Sequence, residues 1–201
     1  MESLIGAIKA LPPMEATAVL LAIAYLVLVI RQNILCWAAA LTSTLLYLVI
    51  FAQAQLFMEA ALQIFYAAMA IYGWYRWRSM AGAGSVVPIR VWTTQRHVAA
   101  VAGILILTLG FGLALRLTAA ALPFADSFTT VAALVATYMV AQKILENWWY
   151  WFVIDSVSVY LYLSRGLWLT ALLFILYLAL IIVGYRRWLR AYRAQAAALP
   201  A

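Results

Sequence analysis

The chain has 201 residues, 69% of them hydrophobic and 9% charged, with a mean hydropathy of +1.03. No soluble domain of this length hides so much apolar surface, so the composition excludes a water-soluble fold and indicates an all-α integral membrane protein read as one domain, 1–201. The net charge of +7, from 13 basic and 6 acidic residues, falls between apolar segments, where it sets topology and does not form a nucleic-acid surface.

Residues 1–15 read as a short amphipathic lead-in ended by Pro12-Pro13. Seven spans follow, at about 16–31, 34–52, 56–77, 96–115, 124–143, 146–164 and 167–187, each near the ~20 residues that cross a bilayer. The longest polar gap, 78–95, carries Gly82, Gly84 and Pro88 and divides the chain into halves. Lys9, Arg116 and Arg165 share one side of the membrane. Arg31, Arg76, Arg78, Arg90, Arg96, Lys143, Arg186, Arg187, Arg190 and Arg193 share the other. Three against ten places the N-terminus outside and the C-terminus in the cytoplasm, as expected of a bacterial inner-membrane protein.

The halves repeat. Asn33 and Trp37 match Asn147 and Trp151 at an offset of 114, as Thr44 matches Ser158. Tyr66, Gly73 and Trp77 match Tyr177, Gly184 and Trp188 at 111. Spans one to three (about 16–77) thus resemble spans five to seven (about 124–187), with the fourth (about 96–115) as linker. An odd linker gives both three-helix units the same orientation, and transporters hold substrate between such parallel repeats.

The sixth span carries the chemistry. Helical spacing puts Asn147, Trp151, Asp155, Ser158 and Tyr162 on one face. A carboxylate in mid-membrane costs ~2.5–3.5 kcal/mol or more in hydrocarbon, so Asp155 faces protein or water. Such a stripe reads as the wall of a pathway, although Asp155 also suits a purely structural role, bonding hydroxyls on neighbouring helices. In the third span Glu59, Gln63 and Tyr66 share a face; Gln63 is at mid-helix and Glu59 near its outer end. Asn33 and Trp37 form either an opposite wall or gate, or interhelical packing. Trp74, Trp77 and Trp188 lie beside arginines and read as an aromatic belt. His97 reads as a solvated surface residue, and Cys36 as a packed thiol.

Enzyme chemistry finds little support. One His and one Cys build no metal site, no buried Ser–His or Cys–His pair is legible, and no Gly-rich loop cradles a phosphate. No cofactor is expected. A binding-only role, as the substrate-capture subunit of a larger complex, is the competing class; the internal repeat favours transport.

The segments RQNILCW (31–37), EAALQIFY (59–66), IYGWYRW (71–77), DSFTT (126–130), ENWWYWFVIDSVSVYLY (146–162), GLWLTALLF (166–174) and GYRRW (184–188) together resemble the PnuC-type nicotinamide riboside transporters. The resemblance covers nearly the whole chain. It implies a seven-helix, three-plus-one-plus-three architecture like that of SWEET sugar transporters, usually a homotrimer. It also implies facilitated diffusion of a vitamin trapped by cytoplasmic phosphorylation, for NAD biosynthesis. The family's substrate Asn and Trp of the sixth span fall on Asn147 and Trp151. Two departures stand out: Ala38 where many relatives have Pro, and Thr137 where some have Gln. The second bears on substrate choice, with thiamine or another B vitamin as the alternative to nicotinamide riboside.

Overall fold

The computed structural model describes residues 13–53, 55, 57–80, 88–117, 122–164, 166 and 168–197, except for the side chains of 57–59, 80 and 169. Seven α-helices and no strand occur among them: α1 Pro13–Ile30, α2 Leu35–Gln53, α3 Phe57–Met80, α4 Thr94–Leu115, α5 Pro123–Ala141, α6 Asn147–Ser164 and α7 Trp168–Ala197. α1, α2, α4, α5 and α7 are each long and apolar enough to cross a membrane. α3 and α6 have 24 and 18 residues; they match the bilayer in length and carry the more polar sequences. The expected lead-in 1–12 and the loop glycines Gly82 and Gly84 lie outside the described residues.

Two helix ends differ from expectation. Among the described residues α1 runs from Pro13, three residues ahead of the expected 16. α7 runs to Ala197, ten residues past the apolar stretch. Arg, Ala and Leu continue a helix readily after hydropathy ends.

The chain forms two compact units, 1–87 and 88–201. In the first, α1 packs on α2 and α2 on α3; in the second, α4 packs on α5, α5 on α6 and α6 on α7. α5 is the most enclosed helix of its unit. Ala132, Ala133 and Ala136 let α4 and α6 approach closely, and with Val131 they form a core with Ile104 and Ile154.

The same turn closes α1 and α5. Gln32, at φ 56°, donates its N–H to Val29 O at 2.9 Å, and Asn33 N–H reaches back to Leu28 O at 2.9 Å. Lys143, at φ 53°, repeats this with Val140 O at 3.0 Å, and Ile144 N–H with Met139 O at 2.9 Å. Both are Schellman-type ends with a long polar residue in the usual glycine position. Further on, Gln55 (φ 60°) and Gly166 (φ 73°) occupy equivalent left-handed positions.

Every one of these pairs is 111 residues apart, and side-chain packing keeps that offset. Trp37 and Trp77 meet edge to face at 5.5 Å and 88°, as do Trp148 and Trp188. Each first-named indole lies against a glycine of the next helix, Trp37 on Gly73 and Trp148 on Gly184, where a Cβ would enter the ring. This corrects the repeat register. The counterpart of Trp37 is Trp148, not Trp151, and the offset of 114 across the second and sixth spans is 111. Tryptophans three residues apart on an apolar helix make both registers plausible by sequence, and the glycine contacts and the left-handed turns separate them.

Candidate functional site

α6 begins immediately after the Lys143 turn, which fixes the direction of its polar face. Asn147 is fully buried, and its Nδ2 donates to Ile144 O at 2.6 Å. Its Oδ1 is buried with no hydrogen-bond partner. An unmet carbonyl of this kind costs about 1–3 kcal/mol, which a ligand donor would recover. Asp155 and Ser158 follow on the same face at 5% and 6% exposure. Trp151 is half-buried and packs on the Ile104–Val131–Ala136–Ile154 core. Tyr162 stacks obliquely on Phe174 at 5.0 Å, and Phe174 meets Tyr177 at 5.5 Å. The stripe is thus buried at Asn147, Asp155 and Ser158 and half-buried at Trp151 and Tyr162. Thr137, on α5, is also buried; its hydroxyl donates to Ala133 O at 2.7 Å and is occupied within its own helix.

In the first unit the expected residues disperse. Trp37 is 2% exposed, walled by Tyr25 (6.1 Å), Trp77 and Gly73, with its Nε1 buried and unpartnered. That is an interhelical packing position. Asn33 is exposed and spends its Oδ1 on the Leu35 N–H at 2.9 Å, closing the turn into α2. Gln63 and Tyr66 are half-buried on α3, the Tyr66 ring edge-on to Phe65 at 5.8 Å. The Glu59 side chain lies outside the described residues. Under the 111 offset, Asn147, Trp151 and Asp155 correspond to Cys36, Ala40 and Thr44. The first unit thus carries no copy of the polar stripe.

Of the tryptophans read as an aromatic belt, Trp77 and Trp188 are buried, at 1% and 0% exposure, because each holds an indole against its glycine. Trp74 is half-buried.

One group escapes a reading of the sequence. His97 is only 26% exposed: its ring stacks on Tyr150 at 5.9 Å and lies tilted at 56° to Trp92 at 5.6 Å. Its Nδ1 is hydrogen-bonded to the Tyr150 hydroxyl at 3.0 Å, and its Nε2 lies 3.8 Å from Glu146 Oε1. Trp92 N–H donates to the other Glu146 oxygen at 3.3 Å. Glu146 and Tyr150, four residues apart at the start of α6, are the legible half of this signal. Among the described residues no three His, Cys, Asp or Glu side chains cluster as metal ligands.

The sequence profile of the family described as "Nicotinamide mononucleotide transporter" matches residues 12–190. The nicotinamide riboside transporter PnuC of Escherichia coli (strain K12) is 28% identical over 179 residues, covering 76% of this chain and 75% of the relative. The riboflavin/roseoflavin transporter RibM of Streptomyces davaonensis is 28% identical over 134 residues, covering 65% of this chain and 63% of that protein. A crystal structure of the vitamin B3 transporter PnuC superposes with a TM-score of 0.71 at 22% identity, covering 90% of this chain and 82% of that one; this likeness is one of fold.

Proposed function

From the premise that this chain belongs to the nicotinamide mononucleotide transporter family, as a PnuC-type multi-pass membrane transporter of B vitamins and not an enzyme, we propose that it carries nicotinamide riboside. The observation that carries this reading is the buried, unpartnered Oδ1 of Asn147 on a face shared with Trp151 and Asp155. Nicotinamide riboside joins a cationic aromatic ring, a carboxamide and a ribose. An amide donor suits Asn147 Oδ1, an indole face suits the ring, and a carboxylate suits its charge.

In this reading transport is facilitated diffusion, made one-way by phosphorylation in the cytoplasm, and the vitamin feeds NAD biosynthesis. The N-terminus lies outside the bacterial inner membrane and the C-terminus inside. The chain works as a homotrimer of two parallel three-helix repeats joined by α4. The constant 111-residue offset of turns and tryptophan pairs supports the repeat; the family resemblance supports the trimer and the mechanism. Gln63 and Tyr66 on α3, with Glu59 near the outer end of that helix, are further candidates for substrate contact, and Thr137 tunes substrate choice.

A second reading is riboflavin, favoured by the RibM relative at equal identity. Thiamine is the other B vitamin of suitable charge. Calorimetric titration of the purified protein with all three decides: tight riboflavin or thiamine binding with none for nicotinamide riboside overturns the choice. Liposomes holding the protein alone should equilibrate the labelled substrate without ion gradients, and concentration above the external level on a proton gradient would contradict facilitated diffusion. Cysteines at 82–84 should label from the cytoplasmic face only.

A further inference from the structure

The two homologous loops before α2 and α6 have the same backbone but are held differently. The first closes on itself, through Asn33 Oδ1 on the Leu35 N–H. The second has Ile144 where Asn33 would stand, and an aliphatic side chain cannot do this. It is held from outside. Arg90 N–H donates to Lys143 O at 2.9 Å, and Leu145 N–H donates to Arg90 O at 2.8 Å, a single parallel bridge. On either side of that bridge, Ile89 N–H donates to Gln195 Oε1 on α7 at 3.1 Å, and Trp92 N–H to Glu146 Oε2. Residues 89–92 therefore form a strap tied to the end of α7, the α5–α6 loop and the start of α6.

Glu146 is the node. One carboxylate oxygen takes the strap through Trp92 and the other faces His97 on α4, whose ring is stacked on and bonded to Tyr150 one turn into α6. In the first unit the same positions are Leu35 and Ala39, which can bind neither a backbone N–H nor an imidazole. The chemistry of the strap is thus written into one repeat only. Glu146 immediately precedes Asn147, and Tyr150 immediately precedes Trp151.

We propose that Glu146 and His97 are positioning residues of the transport site: through them the strap and α4 fix the first turn of α6, and so the direction of Asn147 and Trp151. The linker helix is then part of the second repeat's binding apparatus rather than a tether. This rests on the reading of the α6 face as the substrate wall. A side chain hydrogen-bonded to the strap through one carboxylate oxygen, with the other 3.8 Å from an imidazole, loses rotamer freedom, and small displacements of ligand-bearing groups cost disproportionate affinity.

The test uses the full-length protein in detergent and in liposomes, with nicotinamide riboside, riboflavin and thiamine as probes and whichever binds wild type carried forward. Glu146→Ala should raise Kd and KM at least tenfold while maximal uptake stays within about threefold. Glu146→Gln, which keeps an oxygen for Trp92 N–H, should restore Kd to within about threefold of wild type. His97→Phe, which keeps the stacking and loses both polar contacts, should fall between them and serves if Glu146→Ala does not fold. Folded Glu146→Ala and His97→Phe proteins with unchanged Kd and KM overturn the proposal, as does a Glu146→Gln no better than Glu146→Ala. Asn147→Leu separates the two levels. If it loses binding while the Glu146 variants do not, only the positioning role fails; if it binds normally, or none of the three probes binds wild type, the α6 site itself fails, and the proposal with it.

Discussion

Trp148 lies edge-on to Trp188 at 5.5 Å and 88° while its ring covers Gly184, so that one indole fixes both the spacing and the rotation of α6 on α7. Its counterpart Trp37 does the same for α2 and α3 over Gly73. A methyl at either glycine has to displace a fully buried indole. Gly184→Ala and Gly73→Ala should each lower stability by about 1–3 kcal/mol, the usual range for overpacking, read as a lower thermal midpoint in detergent. Gly103→Ala, whose Cβ meets nothing, is the control and should not lower it.

The neighbouring tryptophans of α6 should part in their effects. Trp148→Ala removes a buried packing residue and should cost about 3–5 kcal/mol of stability. Trp151→Ala should cost less stability but about 1–3 kcal/mol of binding if its face meets the substrate ring. Calorimetry and thermal melting on the same two preparations check this. Equal effects of both variants on both readouts would contradict the assignment.

Asp155 is 5% exposed, on the same face as Asn147. If it balances a cationic ligand, Asp155→Asn should weaken nicotinamide riboside at least tenfold more than the uncharged reduced riboside. Equal losses for both, with a lower melting point, would mark it as scaffold. The measurement is the ratio of the two dissociation constants, wild type against variant.

Gly166 and Gln55 hold the same left-handed backbone in the two units, at φ 73° and 60°. A Cβ in that region costs roughly 1–2 kcal/mol, so Gly166→Ala should destabilise by on the order of 1 kcal/mol. Gln55→Gly should relieve that strain, offset in part by the greater chain entropy of glycine. Opposite signs of the two shifts in thermal midpoint are expected.

The spans are legible because a bilayer demands apolar runs of about twenty residues, and here bases and prolines separate them. The helices begin and end within a few residues of where hydropathy changes, the far end of α7 excepted. The inward face of α6 is legible too, since a carboxylate and an amide in such a helix must avoid lipid. The register of the repeat is not. Trp37 has candidate partners at both 148 and 151, and the residues that decide between them, Gly184 and the left-handed Lys143, act through geometry. His97 is illegible for another reason: its surroundings come from Trp92, Glu146 and Tyr150, and a helix start beside an arginine looks solvated until the strap is seen. Asn33 reads as a site residue by its spacing from Trp37, yet its amide is engaged in the turn before α2.

Each indole and the glycine beneath it stand 36 positions apart in the chain, Trp37 to Gly73 and Trp148 to Gly184. A single residue inserted between Gln53 and Phe57, or between Ser164 and Trp168, would turn the following helix by about 100° and slide it by about 1.5 Å. The side chain of Tyr72 in the first unit, or of Val183 in the second, would then be thrust at the indole where glycine presents only hydrogen. Length is thus constrained where composition is not, and a deletion touching no packed side chain would still dismantle the helix pair on its far side.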